Sequence, residues 1–191
     1  LEFRRVLFRS MDKNIIFGIY WKNTDRRIDL DLSLIDQTGT KLGWDGRYRN
    51  IEKTVLFSGD VTNASGKGAS ELFYIENGCH LNGIMFVNYF NHSIDDPVPF
   101  QIVVGTHEGN LSQNYMIDPN KVMTIQDSRI AEKQKILGLI DTDDKNRFYF
   151  CETAISESIS AGYKPYTAHI RNYLLNYYRN AISLKDILEA A

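Results

Sequence analysis

The sequence predicts an antiparallel β-sandwich of eight to ten strands closed by one or two C-terminal α-helices. Three observations carry that expectation. Residues 28–36 alternate Leu30, Leu32 and Leu34 with Asp29, Asp31 and Ser33, the period of a half-buried strand. Short segments rich in β-branched and aromatic residues recur along the chain with turn signals between them. From Pro165 onward the apolar spacing becomes helical.

Taken in order, Asn14 to Trp21 reads as a first strand, Asn23-Thr24-Asp25 as a turn and 28–36 as the second strand. A turn at Gln37-Thr38-Gly39-Thr40 precedes two short strands within 41–57. Residues 58–70, rich in Gly, Ser and Asn, form a loop as long as compact domains usually tolerate, and such loops tend to be functional. Strands are expected near 71–75, 81–90, 99–105 and 121–126, with Pro97 and Pro99 marking an edge or a strand start. Residues 132–141 and 146–151 read as a hairpin around Thr142-Asp143-Asp144-Lys145.

The tail places Ile170, Tyr173, Leu174, Tyr177, Tyr178 and Ala181 on one helical stripe, with Pro165 in the first turn. One face of this helix is expected to pack on the sandwich. In the competing view it binds a partner through its tyrosines, with Arg171, Asn172, Asn176, Arg179 and Asn180 as its wet side. Ser183 and Asp186 resemble a capping box opening a last short helix. The domain expectation is therefore a sandwich over 11–155 and a helical extension over 156–191.

Residues 1–10 are set aside. Leu7-Phe8-Arg9-Ser10 is encodable by CTCTTCCGATCT, a sequencing-adapter read-through, and the segment's apolar run is too short and too arginine-broken for a signal peptide. Met11 then reads as a start or an internal methionine, which leaves room for a longer natural chain. The net charge of −2 does not favour general nucleic-acid binding. No apolar run approaches the roughly 20 residues of a membrane span. Two distant cysteines, Cys79 and Cys151, suit a reducing compartment, hence the cytoplasm, better than a disulfide framework.

The oxygen-rich segments are where chemistry concentrates. Aspartate is depleted in strands, so Asp29 and Asp31 on one face call for a reason. Ca²⁺ takes six to eight hard oxygens from carboxylates, carbonyls and water. Asp60 follows Gly59, Gly66 and Gly68 allow carbonyls to turn inward, and Glu71 stands where the chain re-enters a strand. The same residues also fit ordinary turn and surface positions, with Asp60 closing an Asx-turn. Asp95-Asp96 offers a further acidic pair before Pro97. The histidines His80, His92, His107 and His169 are scattered without metal-ligand spacing. No nucleophile stands beside a base in an arrangement that spacing supports, so no enzyme activity is expected.

Asp29-Leu30-Asp31-Leu32-Ser33, followed by Phe57-Ser58-Gly59-Asp60 and a glycine-containing run ending at Glu71, resembles the TerD family of tellurium-resistance and stress proteins. The family loop runs His-Ser-Gly-Asp-Asn-x-Thr-Gly-x-Gly-x-Gly-Asp-Asp-Glu. Ser58, Gly59, Asp60, Gly66, Gly68 and Glu71 match it. Phe57, Val61, Asn63, Ala64 and the Ala69-Ser70 pair depart from it, and a divergent bacterial branch is the nearer likeness. The likeness spans the pattern of residues 14–150. It implies a non-enzymatic calcium-binding sandwich in a bacterial tellurite or stress response, with other stress-response proteins as partners. The implied ligands are Asp29, Asp31, Asp60 and Glu71, with backbone oxygens from Asn63 to Gly68; Ca²⁺ would order the loop and present it to a partner. Losing two carboxylates at Ala69-Ser70 weakens at least one of the family's two calcium sites. The rival expectation is a carbohydrate- or surface-binding sandwich without a functional metal site, using Trp44 and Tyr48 as exposed aromatics.

Overall fold

A computed structural model describes residues 5–7, 13–93, 97–109, 119–143, 146–156, 158 and 165–180. The strands are β1 (Arg5–Leu7), β2 (Asn14–Trp21), β3 (Leu30–Ile35), β4 (Lys41–Gly43), β5 (Val55–Phe57), β6 (Ala69–Ile75), β7 (Asn82–Tyr89), β8 (Val98–His107), β9 (Val122–Ile130), β10 (Gln134–Asp141) and β11 (Arg147–Ser156). One helix, α1 (Pro165–Asn180), follows. The eleventh strand, beyond the eight to ten expected, is β1 in the segment set aside above; it pairs Arg5, Val6 and Leu7 with Tyr149, Phe148 and Arg147. The proposed last helix at 183–186 and the acidic pair 95–96 lie outside the described residues.

All pairings between these strands are antiparallel. They build a six-stranded sheet in the order β1-β11-β10-β7-β3-β4 and a five-stranded sheet in the order β5-β6-β2-β8-β9. Alternation sends Leu30, Leu32 and Leu34 of β3 into the core between the sheets. There they join Phe17, Ile19, Phe57, Phe73, Met85, Val87 and Phe148, all buried. Phe17 stacks on Phe148, ring centroids 5.1 Å apart, joining β2 to β11 across the sandwich.

The expectation of a half-buried β3 is corrected: all six of its residues are buried. Its outer face is sheltered too. Ile35 belongs to a second apolar cluster in which Ile84, Phe86, Ile136, Leu139, Tyr149 and Cys151 meet Leu175 and Tyr178 of α1. The helix is thus a third layer on the six-stranded sheet. Ser33, Asn88 and Gln134 also face outward and are buried; Asn88 donates to Ser33 Oγ (3.0 Å) and to the Asp31 carbonyl (3.2 Å), and accepts from Gln134 (2.7 Å). This row of satisfied polar groups pins the register of β3 against β7 and β10.

The packed face of α1 differs from the expected one. Arg171, Leu175 and Tyr178 are buried, whereas Ile170, Tyr173 and Tyr177 are exposed. Arg171 lies on the wet side only in the competing partner-binding view; in the structure it is buried and its Nη1 donates to the Asp36 carbonyl at 2.8 Å. Arg179 is exposed, as that view has it, and it also grips Asp141 and Asp143. The long reach of arginine lets its charged head find acceptors at the sheet rim while its stem lies on apolar surface. No helix among the described residues is long and apolar enough to cross a membrane.

Candidate metal centre

The centre forms where β3 enters its sheet. β4 pairs with β3 only over Ser33, Leu34 and Ile35, so the first half of β3 has no strand on that edge. The loop between β5 and β6 brings Asp60 close to this stretch. Ser58 starts it beside β6: its N–H donates to Leu72 O (2.8 Å) and its Oγ accepts from Leu72 N–H (2.9 Å). Gly59 then turns the chain at φ 124°, a left-handed conformation that favours glycine, and delivers Asp60.

Asp29, Asp31 and Asp60 come together. One carboxylate oxygen from each lies within 4.8 Å of the other two. Asp29 and Asp31 are buried and Asp60 is exposed, so the group opens to water on the loop side. Asp29 Oδ1 and Asp31 Oδ2 are buried with no hydrogen-bond partner among the described residues. A buried carboxylate oxygen without a donor is costly. Burial, chiefly, pushes the Asp31 carboxyl up to about 8, reinforced by the charges of Asp29, Asp60 and Asp45 and opposed by Lys41. Burial also raises Asp29, against the pull of Arg27, and raises Asp60. The three groups resist being ionised together, so they call for protons or a cation.

Glu71 lies beside this trio, near Asp31 and Asp60. It is fully buried between the sheets. Its Oε2 accepts from Leu32 N–H at 2.7 Å and its Oε1 from Val61 N–H at 2.9 Å. Burial lifts its pKa well above the ordinary carboxylate range, although these two amides favour its ionised form. Asn63 does not direct its side-chain oxygen at the trio; Oδ1 accepts from Asn23 Nδ2 at 2.9 Å. Gly68 lies against β2, where an added Cβ would come within 2.6 Å of the Tyr20 hydroxyl. The Tyr20 hydroxyl in turn donates to Lys67 O at 2.5 Å.

Sequence reasoning missed the supports of the centre. Arg27 donates to Thr62 O (2.6 Å) and pairs with Asp29 (3.4 Å), joining strand and loop. Asn91 accepts from Asp29 N–H (3.0 Å) and donates to Arg27 O (2.7 Å). Asn23 N–H donates to Ala64 O, and Ala64 is buried in the core. Arg27 could have been found, two residues from Asp29; Asn91 had no signal, because only the fold brings it near. The loop is therefore held by protein contacts along most of its length.

No family model, no curated protein and no solved structure matches this chain. The rival use of Trp44 and Tyr48 as exposed aromatics is corrected by their placement. Both are half-buried against the core; Trp44 meets Phe90 edge-on at 5.5 Å and Tyr48 meets Phe57 edge-on at 5.2 Å.

Proposed function

We propose that this chain is a non-enzymatic, calcium-binding module of the TerD kind. It would serve a bacterial tellurite or stress response in the cytoplasm and work through protein partners. The observation that carries the reading is the pair of buried, partnerless oxygens on Asp29 and Asp31, with the exposed Asp60 carboxylate within reach. The donor set fits the ion. Three aspartates supply hard, anionic oxygens, and the side open to water leaves room for the further oxygens that Ca²⁺ takes. Mg²⁺ holds its water more tightly and demands stricter geometry. In this reading Asp29, Asp31 and Asp60 hold the ion, and the bound ion neutralises their mutual repulsion. Because Arg27, Asn23, Glu71 and Tyr20 already tether the loop, the ion adds a last tie between β3 and the loop.

The test is a melting curve of the full chain in chelator, in Ca²⁺ and in Mg²⁺. A ligand that binds only the folded state stabilises it by about 2.7 kcal/mol at a hundred times its Kd. A Ca²⁺-selective rise, absent in Asp31→Asn and in Asp60→Asn, is expected. Identical curves in all three buffers would remove the reading.

A further inference from the structure

Each oxygen of Glu71 binds the amide of a residue that directly follows a candidate ligand. Leu32 follows Asp31 and Val61 follows Asp60. Those two aspartates come from segments 29 residues apart in sequence (Asp31 and Asp60), one a strand of the six-stranded sheet and the other a loop leaving the five-stranded sheet. Resting on the cation reading above, we infer that Glu71 is a positioning residue: its carboxylate sets the spacing between Asp31 and Asp60 by holding the next amide of each, and it does not ligate the ion itself.

Three features support this role. Both oxygens of Glu71 are engaged at ordinary hydrogen-bond lengths by backbone donors. The side chain is wholly shut away from solvent, whereas the trio opens at Asp60. The amide it takes on β3 stands at the edge that β4 leaves uncovered, where no strand carbonyl is available to it. One carboxylate with two backbone amides is an anionic counterpart of a paired strand. It needs a side chain of this length, because it must bridge from β6 in one sheet to β3 in the other.

Terbium luminescence separates a positioning residue from a ligand. Tb³⁺ replaces Ca²⁺ at oxygen sites and is excited through nearby Trp and Tyr; its lifetimes in H₂O and D₂O give the number of water molecules on the ion. In the full chain, Glu71→Gln is expected to weaken Tb³⁺ at least tenfold while leaving that number unchanged. In an Asp60→Asn background the same substitution should cost less than threefold, because Glu71 acts through Asp60. Val61→Pro, which removes the loop amide and keeps the carboxylate, should reproduce the tenfold loss and stands in if Glu71→Gln does not fold. An added water on the ion in Glu71→Gln would make Glu71 a ligand and overturn the inference. Unchanged affinity in Glu71→Gln or Val61→Pro would overturn it as well. A wild-type chain that binds neither Tb³⁺ nor Ca²⁺ would instead remove the cation reading on which it rests.

Discussion

Arg179 holds Asp141 with a two-pronged fork: Nε donates to Oδ2 at 2.7 Å and Nη2 to Oδ1 at 2.8 Å. Asp141 ends β10 and is completely buried, and Arg179 is the penultimate residue of α1. The same Nη2 reaches Asp143 at 2.8 Å. Asn82 donates to both oxygens of Asp143, and this, with Arg179, holds that carboxyl below its usual range. The helix is thereby anchored near its C-terminus by charge and near its middle by Arg171 on the Asp36 carbonyl. Among the described residues, Arg179→Leu leaves Asp141 with Arg147 at 3.5 Å and the Asp143 N–H at 3.3 Å. A loss of about 2–3 kcal/mol is expected by urea denaturation, less than for breaking a fully buried pair because Arg179 itself is part-exposed.

The two faces of α1 should respond unequally to truncation. Tyr178 is 9% exposed and stacks on Tyr149 at 5.6 Å, whereas Tyr173 is 71% exposed. Tyr178→Ala should cost about 3 kcal/mol through the cavity it leaves. Tyr173→Ala should stay within about 0.5 kcal/mol. Equal costs at both positions, read by denaturant midpoint, would contradict the packed face described here.

Asp31→Asn should separate stability from cation binding. In chelator the variant removes a carboxylate that burial and its acidic neighbours disfavour. It should be more stable than the wild type by about 1–3 kcal/mol at pH 8, the gain expected where a site is strained for binding. In Ca²⁺ the order should reverse, because the wild type alone gains from the ion. Thermal melts of both proteins in both buffers check the crossing.

The metal-free protein should lose stability as the pH rises through neutrality. Asp31 ionises near 4 when unfolded and at about 8 when folded. Between those values the folded state holds more protons than the unfolded one, so the slope of stability against pH is negative. Asp29, Asp60 and Glu71 are shifted in the same direction. The stabilisation is full below about pH 4 on these groups' account and is gone once the pH passes their folded values. Denaturation in metal-free buffer at pH 5, 6.5 and 8 should show the decline, and saturating Ca²⁺ should flatten it.

Much of this was legible in the residues. Period-two runs bounded by Asn, Gly and Pro located most strands to within a few positions, because alternation is a direct consequence of the pleat. Asp29 and Asp31 stood out because aspartate in a strand-like alternation is unusual, and Asp60 because it follows Gly59 in an oxygen-rich loop. The remainder needed three dimensions. The spacing of Glu71 says nothing about which remote amides, Leu32 and Val61, engage its oxygens. The burial of Arg171 escapes a helical projection, which sorts residues by polarity, because a guanidinium on a long stem can lie on a packed face and still find an acceptor. The burial of Ser33 could not be read from β3 alone, since it depends on Asn88 and Gln134 from two other strands.

The uncovered half-edge of β3 has a consequence for the protein's behaviour in company. A strand margin with free amides invites a neighbouring molecule to add its own strand, the first step toward fibrillar association. Here the inviting amide at Leu32 is already occupied from within, and aspartates crowd the approach. Replacing Glu71 would therefore do more than loosen a site: it would unlock a seam along which copies of the chain could stitch together.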